Sequence, residues 1–120
     1  MTKMDWPSTT QQLNAELRGL RLGAPDVMRA FSEIAKAALA PKALDAKTKE
    51  LVALAISVAI RCDDCIAFHA KAAVENGATR EEALETLGMA VYMGAGPSAM
   101  YASHALSAFS QFHAAKTAAE

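Results

Sequence analysis

Residues 50–74 read ELVALAISVAIRCDDCIAFHAKAAV, and this stretch decides how the chain is organised. From Leu51 to Ile60 nearly every position is apolar, a run far too short to span a bilayer and suited to a helix enclosed by its own fold. Arg61, Cys62, Asp63 and Asp64 interrupt it. An Asp in that interruption can accept from free backbone N–H groups and start a second helix. The expectation is a central helical hairpin with its vertex near Cys62.

Cys62 and Cys65 are the only cysteines in the chain. Residues three apart on a helix share a face at a separation a disulfide can span, so this pair can open and close without unfolding anything. His69 follows Cys65 by four, which sets its imidazole over the Cys65 side chain to take or return a thiol proton. Glu50 precedes Cys62 by twelve residues, ~18 Å along an unbroken helix, and contributes only if the chain turns back. With the turn at Cys62, Glu50 comes level with His69 and can orient it. Read alone, Glu50 fits equally well as a solvated carboxylate in a first helical turn, where the helix dipole favours it.

Working outward, Trp6-Pro7 stops any helix from running back to the loosely held residues 1–7. Ser8 caps a first helix over residues 8–22, ended by Gly23, with Leu13, Leu17 and Leu20 as its apolar stripe. Pro25 suits the first turn of a second helix carrying Val27, Met28, Phe31, Ile34 and Ala35, and the pair reads as a surface hairpin covering the core. Asp45 caps a third helix over residues 47–60; a fourth runs over residues 63–75 and stops at Asn76-Gly77. Thr79 and Glu82 form a capping box opening a fifth helix. Gly94-Ala95-Gly96-Pro97 breaks the chain before a last helix over residues 97–115, whose broad apolar coverage suits contact with another subunit. No stretch has strand periodicity. The fold class is all-α, a bundle of about six helices in one domain over residues 1–120.

Composition narrows the function. With 12 Lys and Arg against 13 Asp and Glu the net charge is −1, and no basic stripe points to nucleic acid. The first ten residues carry no apolar signal core and no run spans a membrane, so a cytoplasmic protein is expected. In that reducing compartment a close cysteine pair is redox-active or metal-binding before it is a structural staple. A thiol attacks as the thiolate, and the start of a helix favours one, whereas Asp63 and Asp64 oppose it. Zinc on Cys62, Cys65 and His69 lacks an evident fourth ligand, and Ile66 after the second cysteine excludes covalent haem attachment. His104 and His113 have no obvious acidic partner in sequence. Met89, Met93 and Met100, with Tyr92 and Tyr101, suggest an apolar lining or core.

The spacing of Glu50, Cys62, Cys65 and His69 resembles the signature of the carboxymuconolactone decarboxylase and alkylhydroperoxidase D-like family, and YMGAGPSAMYASHALSAF, residues 92–109, resembles that family's tail. The resemblance implies a cofactor-free thiol oxidoreductase that reduces organic hydroperoxides. Cys65 would attack, Cys62 would resolve the sulfenic acid to a disulfide, and His69 and Glu50 would relay the proton. A dithiol reductant or reductase partner, and assembly as homotrimers or hexamers, are implied as well. In the best-known peroxidatic branch a histidine precedes the second cysteine; here Asp64 does, which weakens the expectation of strong peroxidase activity. The alternatives are a lactone acid decarboxylase, whose branch generally lacks the cysteine pair, and a non-enzymatic redox-sensing or metal-binding module.

Overall fold

The computed structural model describes residues 4–120. Five helices make up the ordered elements: α1 (Trp6–Gly23), α2 (Pro25–Leu39), α3 (Ala46–Ala59), α4 (Asp63–Glu75) and α5 (Arg80–Ala119). There is no strand among the described residues. α5 consists of two helical stretches meeting at Ala95, whose φ of 55° and ψ of −140° break the helical path. The six expected segments are therefore present, the last two being joined. Gly94 is required at this kink because a Cβ there would overlap Ser98 Oγ and Cβ.

Among the described helices, α3, α4 and α5 pack against one another, α1 lies on α4 and α5, and α2 touches only α1 and α3. The core is rich in alanine: Ala67, Ala70 and Ala73 of α4 and Ala105 and Ala108 of α5 are fully buried, letting helix backbones approach closely. Leu54, Val58 and Ile66 fill the space between them, each contributing about 1.5–3 kcal/mol by leaving water. Two of these, Val58 and Ile66, flank the α3–α4 turn and anchor it from both sides.

The caps form where the residue types demand them. Asp45 accepts from Thr48 N–H, and Thr79 and Glu82 complete a reciprocal capping box. Asp45 also lies below the usual carboxylate range, chiefly through hydrogen bonding from Thr48. Both ends of the hairpin use the same helix-stop geometry. At the end of α3, Arg61 N–H donates to Val58 O and Cys62 N–H to Ser57 O; at the end of α4, Gly77 N–H donates to Val74 O and Ala78 N–H to Ala73 O. The second stop places glycine at φ 85°, whereas the first places Arg61 at φ 60°. An L-residue there costs about 1–2 kcal/mol. That strain sits directly before Cys62.

Five expectations need correction. Of residues 1–7, expected to be loosely held, residues 1–3 lie outside the described residues, but Trp6 is a core residue, 2% exposed, with its backbone N–H donating to Gln111 Oε1 of α5. α1 begins at Trp6, capped by Asp5 rather than Ser8; the Pro at its second position is compatible with a first turn, where no intrahelical donor is needed. Of the α1–α2 pair, α1 packs on the core and α2 does not. α2 buries no residue, and Val27, Phe31 and Ile34 stand exposed, Phe31 at 61%. Likewise α3 is enclosed on one side only, with Val52, Ile56 and Ile60 open, and Met89, Tyr92, Met93 and Met100 line no interior.

Candidate active site

The α3–α4 turn assembles the site. Cys62 occupies the position before the first turn of α4, and Cys65 ends that turn. The helix cap is Cys62 itself, whose Sγ accepts from Cys65 N–H at 3.1 Å, and not an Asp as the sequence suggests. A sulfur at this place sits at the positive end of α4, among N–H groups with no intrahelical partner. Cys62 and Cys65 are joined as a disulfide with Cα atoms 5.2 Å apart, and both residues are half-buried. The pair is therefore reachable from solvent, with the fully buried Ile66 beneath it.

Because the chain reverses at Arg61–Cys62, Glu50, just past the first turn of α3, lies beside the middle of α4. Glu50 Oε1 is 2.8 Å from His69 Nδ1. Glu50 is 7% exposed, so it is no solvated first-turn carboxylate. Its partner accounts for that burial, since an unpaired buried charge is costly. An ionised carboxylate only accepts, so Nδ1 then carries the hydrogen and Nε2 keeps a free lone pair. His69 is partly exposed and sits one helical turn beyond Cys65. The four residues Glu50, Cys62, Cys65 and His69 thus lie on two adjacent antiparallel helices around one turn.

His104 belongs to the same region, which the sequence does not reveal. Its Nδ1 lies 2.8 Å from Asp63 Oδ1, 41 residues away, so it does have an acidic partner. Its ring stands 5.1 Å from that of Tyr101 and 6.5 Å from that of Trp6, centroid to centroid. Asp63 is half-buried and Asp64 exposed. His113 stacks on Phe109 well along α5, with ring centroids 6.0 Å apart. Among the described residues no three or more His, Cys, Asp or Glu side chains converge to hold a metal ion.

An all-helical bundle carrying a solvent-accessible disulfide at a helix start, backed by a buried carboxylate–imidazole pair, defines a class of small CxxC proteins. The comparisons are specific about which. The model of the carboxymuconolactone decarboxylase family matches residues 25–108, and the chain belongs to that family. A family protein from Legionella pneumophila, solved without ligand, is 51% identical with a TM-score of 0.87 over 90% of this chain and 96% of its own. One from Thermotoga maritima is 29% identical, with a TM-score of 0.83 over 92% of this chain and 95% of its own. An uncharacterized protein of Cupriavidus necator is 40% identical over 92% of this chain and 97% of its own length. Among the described residues no helix is long and apolar enough to cross a membrane.

Proposed function

We propose that the protein is a thiol-dependent hydroperoxide reductase working through Cys65 and Cys62, with His69 and Glu50 as its proton relay. The observation carrying this reading is the 2.8 Å contact between buried Glu50 and His69, one turn from a reachable CxxC disulfide. A dithiol needs a group to take its proton near neutral pH, where an ordinary thiol is only a few per cent ionised. In this reading His69 takes it through Nε2, and Glu50 stabilises the imidazolium that results. The Thermotoga maritima relative is described as a candidate for an antioxidative response, which supports the same direction.

The step runs as follows. Cys65 thiolate attacks the outer oxygen of a hydroperoxide, breaking the O–O bond; the alkoxide leaves as the alcohol with the proton held by His69. Cys65 is now a sulfenic acid. Cys62 sulfur attacks it, water departs, and the disulfide closes. The peroxide gains two electrons, and a dithiol reductant or reductase partner returns two electrons and two protons to the cysteines. We further infer that the chain assembles with its own copies, since α2 and the first half of α5 expose apolar faces that a monomer leaves in water.

The test is thiol loss in the reduced protein after adding cumene hydroperoxide, with Cys65→Ser and Cys62→Ser in parallel. Rapid loss of both thiols, a trapped sulfenate in Cys62→Ser and no reaction in Cys65→Ser are expected. A wild type no faster than a free thiol would remove peroxide reduction and leave lactone acid decarboxylation or redox sensing to be assayed.

A further inference from the structure

Two carboxylate–imidazole pairs meet at the CxxC turn, and the reaction above uses only one. Glu50–His69 joins α3 to α4, whereas Asp63–His104 joins α4 to α5, each at 2.8 Å. Asp63 follows Cys62 directly and lies two residues before Cys65. A carboxylate so close opposes ionisation of either thiol. Its partner is held in place, because the His104 ring lies against Tyr101 from its own helix and near buried Trp6 from α1. The contact with Asp63 is thus framed by three elements, with both side chains still partly open to water.

We propose that His104 is a positioning residue for the dithiol: by holding the Asp63 carboxylate it limits the negative charge that a Cys62 or Cys65 thiolate meets, and so sets how readily the pair ionises and cycles. This rests on the reading of Cys62–Cys65 as a cycling dithiol. An imidazole N–H donating to Asp63 fixes the carboxylate and draws its charge toward the ring, and a protonated ring cancels it. The other charged or titratable groups around the pair act differently. Asp64 and Arg61 on the same turn are exposed and screened by water, Tyr101 is the α5 neighbour, α1 presents the uncharged Trp6 ring, and Glu50 on α3 is engaged with His69. Asp63 is the carboxylate nearest Cys62 in the chain, and His104 its only side-chain hydrogen-bond partner among the described residues.

The sign of the effect separates this role from mere bracing of α5 on α4. Reduction by dithiothreitol breaks the Cys62–Cys65 bond, passing two electrons and two protons to the protein and leaving cyclic oxidised reagent. The thiolates of the reduced protein are then titrated by their ultraviolet absorbance, in the wild type, Asp63→Asn, His104→Gln and the double variant, with circular dichroism to confirm folding. A unit charge at ~8–10 Å in a partly wet site moves a thiol by ~0.3–1.5 pH units, a ~2- to 30-fold change in thiolate fraction. Asp63→Asn should lower the titration midpoint and His104→Gln should raise it, while the double variant follows Asp63→Asn. His104→Asn, shorter and equally neutral, should repeat the His104→Gln result. Asp63→Asn removes the charge but keeps an oxygen able to accept from His104 Nδ1, whereas the His104 variants remove the imidazole; shifts of one sign in the two, or a His104→Gln midpoint equal to wild type, overturn the proposal. If the wild-type disulfide does not exchange with dithiothreitol at all, the dithiol reading itself falls and this one with it.

Discussion

Replacing Glu50 by glutamine removes one charge and almost nothing else. The amide keeps the size of the carboxylate and its carbonyl can still accept from His69 Nδ1, so the 2.8 Å contact and the packing of α3 on α4 should survive. What disappears is the stabilisation of an imidazolium by a buried anion. A hydrogen bond to a charged partner is worth about 1.5–3 kcal/mol, and because His69 is 30% exposed the lower half of that range applies. A loss of about 1.5–2 kcal/mol in the step where His69 takes the thiol proton is a ~10- to 30-fold slower reaction. The assay is stopped-flow oxidation of the reduced protein by cumene hydroperoxide across about pH 6 to 9, with thermal unfolding as the control. Slower oxidation at unchanged unfolding temperature is expected. Equal rates throughout that range would remove Glu50 from the mechanism, and a collapse in stability would mean the carboxylate serves packing instead.

Three further outcomes follow from the fold. Arg61→Gly places glycine at φ 60°, as Gly77 already does in the twin turn, and should raise the unfolding temperature by ~2–5 °C, net of glycine's greater freedom when unfolded; a lower temperature would show the Arg61 conformation is unstrained. Phe31→Asp charges the exposed apolar face of α2 and should shift sedimentation toward monomer, while an unchanged profile would place the subunit contact elsewhere. Glu82 lies below its ordinary 4.5, mainly through its hydrogen bond with Lys47 and then that from Thr79 N–H, so its contribution is present above that value and lost as pH falls through the depressed one. The wild-type advantage in unfolding temperature over Glu82→Gln, present at neutral pH, should therefore shrink in acid; a gap that widens in acid would reverse the sign assigned to the pair.

What was legible in the sequence was local. The helix of the Leu51–Ile60 run, the Asp45 cap, the Thr79–Glu82 box and the Asn76-Gly77 stop depend on nearby residues, and each element forms as read, although α3 is enclosed on one side only. The Glu50–His69 contact needed only one reversal between two such segments, at a place the interruption of the apolar run already marked. Trp6 was misjudged because the Trp-Pro pair speaks about helix starts and is silent on what the indole covers; Gln111, which accepts from the Trp6 backbone N–H, is 105 residues away. The apolar stripe of α2 read as a core face because periodicity reports that a face is buried without saying by whom. Asp63–His104 left no signal at all, since 41 residues and a kinked helix separate the partners.

That last pair changes how the CDDC turn is understood. As a string, two aspartates between two cysteines oppose a thiolate, and the natural conclusion is a poor nucleophile. In the fold the two aspartates are not equivalent. Asp64 faces water, which weakens its reach, and Asp63, the one next to Cys62, is engaged by an imidazole from α5. The cap works in the same direction, because Cys62 Sγ of the disulfide accepts an N–H at the positive end of α4, a position that favours a thiolate once the pair is reduced. The arrangement therefore opposes the aspartates with a helix start, a paired histidine and a buried carboxylate–imidazole contact; the first and the last can be read from the sequence, and the pairing of His104 cannot. Whether they outweigh the two charges is what the thiolate titration of Asp63→Asn against His104→Gln measures directly.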